Sequence, residues 1–281
     1  MKHDIIYLKD IDERFSNSEA YIEYYGISYM DYMKHTGERY PRPGILILPG
    51  GAYVFLSDRE AEPIALRFMC EGFNTFVLKY STNKKYPIPQ SEVALTISYI
   101  REHHEQFDLI DKNLFVMGFS AGGHLAASYS CYYKEIGESL SLDVDKIRPL
   151  GAILGYPVIT CKDYSHTETK NIITQGDKQL QKKLSIEDYV TSEYSPTYIF
   201  TTKEDICVDP KNTYSFVDSL IKAGVKHKSH IFDLGEHGGS LYTRGVYAPD
   251  IPQYIIDAIP NRVWVEEASD FMFEILKEDE K

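Results

Sequence analysis

Gly118-Phe119-Ser120-Ala121-Gly122 lies between the apolar run Leu114-Phe115-Val116-Met117 and a stretch rich in small residues, 121–133, with helical patterning. The run reads as a buried strand and the stretch as a helix, so the pentapeptide marks a sharp strand-to-helix turn. Glycines flank the serine because side chains there would collide with the neighbouring strand and helix. A serine so placed has its hydroxyl pushed clear of the backbone, and the Ala121 amide opens toward the same space from a helix N-terminus. Such a turn is a nucleophile elbow, with a reactive oxygen and an anion-stabilising donor on adjacent residues.

Outward from this turn, extended and helical patterns alternate. Strands are expected at 45–48, 76–78, 152–154, 198–200 and 230–232 beside the one at 114–117. Helices are expected at 58–71, at 92–104 with Val93, Ile97 and Ile100 on one face, at 212–223 ended by Gly224, and at 264–277. The alternation predicts an α/β fold, a mainly parallel sheet covered on both faces. Two segments depart from it. Residues 1–40, aromatic-rich over 21–32, are expected to add antiparallel strands at one sheet edge. Residues 156–196 form a long polar stretch between two core strands, expected to be a lid or substrate wall, with Ser185-Ile186-Glu187-Asp188 as a capping box. No fixed-period repeat appears, and 1–281 reads as a single domain.

Composition narrows the function classes. Of 281 residues, 43% are hydrophobic and 26% charged, enough apolar side chain for a sizeable core. Thirty Lys+Arg against 42 Asp+Glu leave a net charge of −12, which repels phosphate backbones and anionic lipid. Neither a nucleic-acid nor a membrane partner is expected. The longest aliphatic run, Ile45 to Leu48, is far short of the roughly 20 residues of a bilayer span, and the first ten residues lack a signal-type apolar core. A soluble, cytoplasmic protein is the expectation. Cys70, Cys131, Cys161 and Cys207 lie far apart, with no Cys-x-x-Cys pair and no zinc-ligand spacing, and read as free thiols. No metal site is expected.

A serine hydroxyl needs a base within hydrogen-bond reach and a carboxylate to orient that base. Behind an elbow of this kind, acid and histidine follow in that order on loops after later strands. After 198–200 comes Thr201-Thr202-Lys203-Glu204-Asp205-Ile206-Cys207-Val208-Asp209-Pro210, and after 230–232 comes Gly235-Glu236-His237-Gly238-Gly239. Asp205 is assigned as the acid, with Glu204 and Asp209 as rivals, and His237 as the base. His103 and His104 are expected to end a helix, and His124 to be a packing residue. The second group of oxyanion donors is expected from Pro49-Gly50-Gly51-Ala52-Tyr53, at the place where lipases and esterases carry an HGGG-type loop. There Pro49 stands for the His and Ala52 for the third Gly. The Gly51 and Ala52 amides are expected to join that of Ala121.

The chain resembles α/β-hydrolase-fold esterases, specifically the acetyl-xylan-esterase-like group related to the hormone-sensitive-lipase branch. The resemblance rests on Leu48-Pro49-Gly50-Gly51-Ala52-Tyr53, Leu56-Ser57-Asp58-Arg59-Glu60-Ala61, the decapeptide Gly118 to Ala127, and the Asp205 and His237 loops, and it spans about 42–245. It implies an eight-stranded, mostly parallel sheet, a Ser-Asp-His triad, no cofactor, and hydrolysis of short acyl esters, often acetyl groups on sugars. The chain departs from the group's pattern at Ala52, Thr202 and Asp209.

A serine hydrolase of short carboxylic esters is therefore expected, with a small ester as partner and self-association into a homo-oligomer left open. The alternatives are an amidase or peptidase with the same three residues, and an inactive binding protein that keeps the fold.

Overall fold

The computed structural model describes residues 1–28, 35, 37, 40–246 and 260–279. Its strands are β1 (Lys2–Tyr7), β2 (Tyr21–Gly26), β3 (Arg42–Leu48), β4 (Asn74–Lys79), β5 (Leu109–Phe119), β6 (Ala152–Gly155), β7 (Thr197–Thr202) and β8 (His227–Phe232). They form one eight-stranded sheet in the order β1-β2-β4-β3-β5-β6-β7-β8. From β4 through β8 all neighbours are parallel, whereas β2 runs antiparallel to both β1 and β4. The antiparallel addition thus sits at one edge, as the aromatic N-terminal segment suggested. The part of that segment from residue 29 to 32 lies outside the described residues.

The helices are α1 (Leu8–Ile11), α2 (Glu62–Cys70), α3 (Ile88–Glu102), α4 (Ala121–Ser139), α5 (Thr167–Thr174), α6 (Lys178–Lys183), α7 (Lys211–Ala223) and α8 (Trp264–Asp279). Side chains of a strand alternate between faces, and the core divides accordingly. Leu46 and Leu48 of β3 pack with Val93 and Ile97 of α3, Leu125 of α4 and Phe216 of α7. Ile45 and Ile47 point the other way, to Ile64 and Phe68 of α2 and Trp264 and Phe271 of α8. Both faces being covered explains why β3 and β5 read as unbroken apolar runs rather than alternating ones. The chain's one tryptophan, Trp264, is buried, stacks on Phe200 at 4.8 Å and donates from Nε1 to the Ser240 carbonyl at 3.0 Å.

Two local expectations change. The helix expected at 58–71 is broken: a 3-10 turn, Asp58–Glu60, ends at Ala61 (φ −112°, ψ −103°), and α2 starts afresh with Pro63 in its first turn. Proline lacks an N–H and disfavours helical backbone at the preceding residue, so it fits a helix start and not a helix interior. Ser185 forms no capping box. It heads only a three-residue 3-10 turn, Ile186–Asp188, while its hydroxyl donates to the Gln181 carbonyl at 2.9 Å and accepts from the Cys161 amide at 3.1 Å. The 156–196 stretch carries α5 and α6 and docks on α4, where Tyr132 donates to the Lys183 carbonyl at 2.6 Å. All four cysteines are unbridged. Among the described residues, no helix is long and apolar enough to cross a membrane.

Candidate active site

The parallel strands β5, β7 and β8 all end at the same edge of the sheet, and that shared direction brings distant residues together. Ser120 follows β5 directly, in a backbone conformation, φ 52° and ψ −118°, that non-glycine residues rarely adopt. The turn is clamped by its own amide, which donates to the Gly155 carbonyl at 3.0 Å. Its carbonyl in turn accepts from His124 and Val158 amides at 3.1 and 3.0 Å. Glycine is required on both sides. A Cβ at Gly118 would lie 2.1 Å from the Gly122 carbonyl oxygen, and one at Gly122 would lie 2.0 Å from that of Leu48.

His237 Nε2 lies 2.8 Å from Ser120 Oγ, and His237 Nδ1 lies 2.7 Å from Asp205 Oδ2. The other Asp205 oxygen, Oδ1, accepts from the backbone amides of Cys207 at 3.0 Å and Val208 at 2.8 Å. The carboxylate is thus fixed at both oxygens, with its side chain fully out of solvent. A carboxylate can only accept, so Nδ1 carries a proton and Nε2 of the neutral ring is left to accept from the serine hydroxyl. The acid and base loops are tied to each other by the Thr202 hydroxyl, which donates to the Gly235 carbonyl at 2.6 Å.

The rival carboxylates are committed elsewhere. Glu204 is exposed and accepts from the Gly235 amide at 3.3 Å, while Asp209 caps the start of α7 by accepting from the Lys211 amide at 2.9 Å. His124 is fully buried, and Nε2 must donate to the Leu184 carbonyl at 3.0 Å, so Nδ1 accepts from the Tyr53 hydroxyl, also at 3.0 Å. Burial pushes its imidazole down to about 4, so it is neutral, a structural member of the elbow helix. His103 closes α3, as expected.

The 49–53 loop abuts the elbow, since a Cβ on Gly50 would lie 2.9 Å from Ser120 Cβ. Gly51, Ala52 and Tyr53 follow one another at φ 117°, 57° and 63°. At Gly51 a side chain would strike the Phe55 carbonyl oxygen at 2.1 Å. Among the described residues, the amides of Gly51, Ala52 and Ala121 donate to no protein acceptor. Ser120, His237, Gly51 and Ala52 line one cleft of about 210 Å³ together with Phe55, Arg59, Glu60, His166, Glu168 and Cys207.

Several of these residues were not singled out by sequence. His166 and Glu168 come from the 156–196 stretch, in which a lone His-x-Glu carries no distinguishing pattern. The His166 ring caps α5, accepting from the Thr169 amide at 3.4 Å, and burial together with nearby His237 lowers its pKa. Glu60, in the cleft wall, and Tyr156 are both buried, and nothing in their sequence neighbourhood announces burial. Beyond the cleft lies a wider depression that shares His166, Glu168 and Cys207 and adds Ser165, Thr167, Asn171 and Ile172. Among the described residues, no group of three His, Cys, Asp or Glu side chains gathers as a metal site.

Sheet order, elbow and loop placement define the chain as an α/β-hydrolase. Within that class it belongs to the BD-FAE family, whose family model matches residues 30–220. It is 30% identical over 206 residues to endo-1,4-beta-xylanase B of Butyrivibrio fibrisolvens, covering 70% of this chain and 32% of that protein. It is 25% identical over 203 residues to an acetylxylan esterase of Xylanibacter ruminicola, covering 69% of this chain and 40% of that protein. The chain therefore matches less than half the length of either curated relative. Over whole chains, it superposes on carboxylesterase Cest-2923 of Lactobacillus plantarum with a TM-score of 0.84 at 25% identity, covering 98% of both. It also superposes on an acetyl ester-xyloside bifunctional hydrolase of Caldicellulosiruptor lactoaceticus with a TM-score of 0.81 at 25% identity, covering 97% of this chain and 96% of that one.

Proposed function

We propose that the protein hydrolyses short-chain carboxylic esters, acetyl esters of sugars and oligosaccharides foremost, with Ser120 as nucleophile, His237 as general base and acid, and Asp205 as orienting acid. The observation that carries this reading is the continuous hydrogen-bonded line from Ser120 Oγ through His237 to Asp205, at 2.8 and 2.7 Å. Ser120 Oγ attacks the ester carbonyl carbon while His237 Nε2 takes its proton, and the carbonyl oxygen becomes an anion held by the Gly51, Ala52 and Ala121 amides. Collapse of the tetrahedral intermediate breaks the bond to the alkoxy oxygen, which leaves with the proton from Nε2. Water then repeats the sequence on the acyl-serine, releasing the carboxylic acid and restoring the serine hydroxyl. Throughout, Asp205 holds the imidazole in the tautomer that leaves Nε2 free and stabilises the imidazolium that forms.

The cleft favours a small acyl group. At about 210 Å³ it is smaller than the roughly 300–1,000 Å³ of pockets for drug-sized ligands. The adjoining depression, lined by Ser165, His166, Thr167, Glu168 and Asn171, offers hydrogen-bonding groups to a hydroxyl-rich alcohol. The acetylxylan esterase and carboxylesterase relatives support the same substrate class. The test is p-nitrophenyl acetate turnover by the wild type and Ser120→Ala, alongside an acetyl-to-octanoyl series and acetylated xylo-oligosaccharides. Removal of the serine is expected to lower kcat by up to about a million-fold. Equal rates for the two enzymes refute the nucleophile, and a preference for octanoyl over acetyl refutes the short-chain reading.

A further inference from the structure

Glu60 carries a carboxylate that the proposed reaction does not use. It is only 2% exposed, and each of its oxygens has one donor. Oε2 accepts from the Gly50 amide at 2.9 Å, and Oε1 accepts from the Tyr156 hydroxyl at 2.8 Å. A carboxylate removed from water is costly unless such bonds compensate it, so a buried one retained beside a reactive serine calls for a role.

The two donors belong to the two sides of the site. Gly50 opens the loop whose next residues, Gly51 and Ala52, carry unused amides. That loop holds three successive residues at positive φ, two of them non-glycine, a backbone region that L side chains disfavour. It is closed from within by the Val54 and Phe55 amides, which donate to the Gly51 carbonyl at 2.9 and 3.1 Å, and it is also held from outside. Tyr80 donates to the Pro49 carbonyl at 2.7 Å, the Asn83 amide donates to the Tyr53 carbonyl at 2.7 Å, and Glu60 takes the Gly50 amide between them. On the other side, the Tyr156 ring meets the His237 ring edge-on at 5.0 Å. Its hydroxyl accepts from the Ser240 amide at 3.1 Å, and the Ser240 hydroxyl donates back to the Arg59 carbonyl. Burial and nearby Glu60 push the Tyr156 phenol far up, so it stays protonated and remains a donor.

We propose that Glu60 is a positioning residue: through Gly50 it sets the oxyanion-side loop, and through Tyr156 and Ser240 it sets the loop bearing His237, so that both meet Ser120 in one register. This rests on the esterase reading above. A misplacement of about 1 Å at a reacting centre costs about 100-fold in rate, so a tie that reaches both sides acts on turnover more than on affinity.

The experiment compares wild type, Glu60→Ala, Glu60→Gln and Tyr156→Phe with p-nitrophenyl acetate. Rates are expressed per active site titrated with diethyl p-nitrophenyl phosphate, and thermal midpoints are measured in parallel. A purely structural role lowers the titrated fraction and leaves turnover per site unchanged. Glu60→Ala is expected to lower kcat per titrated site by about 10- to 100-fold with KM within about threefold. Glu60→Gln is expected to recover part of the loss, because its amide oxygen can still accept from Gly50, and Tyr156→Phe is expected to lose about 3- to 10-fold. Turnover per site within twofold of wild type for Glu60→Ala overturns the proposal. Should that variant not fold, wild-type turnover by both Glu60→Gln and Tyr156→Phe overturns it equally. A wild-type protein inactive on every ester refutes the esterase reading instead, whereas an active wild type beside an equally active Glu60→Ala refutes only the role of Glu60.

Discussion

In an Asp205→Asn enzyme the backbone decides how the new amide sits. The amides of Cys207 and Val208 both point at the Oδ1 position, 3.0 and 2.8 Å away, and both can only donate. The asparagine oxygen must therefore take that position, which puts its NH2 group where Oδ2 now lies 2.7 Å from His237 Nδ1. Nδ1 then has to accept, the ring proton moves to Nε2, and Nε2–H points at Ser120 Oγ with no lone pair left to take the hydroxyl proton. Geometry is retained and the tautomer is reversed. In a serine protease the same exchange lowers kcat by about 10,000-fold, and that is the expected loss here, equivalent to about 5 kcal/mol of transition-state stabilisation. The assay is p-nitrophenyl acetate hydrolysis per titrated site near neutral pH, with the thermal midpoint as control for folding. Turnover within tenfold of wild type would refute the reasoning, since it would mean that the acid does not set the tautomer.

Two further outcomes follow from the same geometry. Gly51→Ala puts a methyl 2.1 Å from the Phe55 carbonyl oxygen at φ 117°, so the loop must move; kcat is expected to fall about 100-fold or more, and a change under threefold sinks the assignment of this loop. His124 titrates near 6.5 in the unfolded chain but only near 4 in the fold, so below pH 6.5 the unfolded state binds more protons and stability falls with pH down to about 4. Across that window the loss attributable to His124 is on the order of 3 kcal/mol. Urea melts at pH 6.5, 5 and 4 should show the wild type converging on His124→Gln as pH falls, and parallel curves would exclude the effect.

The fold and the three polar residues of the proposed triad were legible because their signals are local. A Gly-x-Ser-x-Gly turn between an apolar run and a small-residue helix can be recognised from a dozen residues, and a histidine between glycines after a late strand is nearly as plain. The choice of Asp205 over Glu204 and Asp209 was harder. Asp209 also folds back onto an amide two residues on, so what separates them is that Asp205, held by the amides of residues 207 and 208, turns its second oxygen to His237, a contact made only across loops. Glu60 lay inside the Leu56–Ala61 stretch that carries the resemblance, but its contact with Tyr156, 96 residues on, was not legible, because Tyr156, Ser240 and His237 gather there only once the sheet has formed. The helix expected over 58–71 runs through Pro63, and since proline fits only a first turn the chain breaks at Ala61 and starts α2 afresh.

The indole of Trp264 sits at the back of this machinery with its N–H committed to the carbonyl of Ser240, just beyond His237. The protein thus contains a built-in optical gauge of the segment carrying its base. With a single tryptophan in the chain, emission excited at the indole edge has one source. A ligand or phosphonate that draws the histidine segment away from the sheet would release that N–H to water and move the emission to longer wavelength. Any displacement of that segment can then be read on the unlabelled protein.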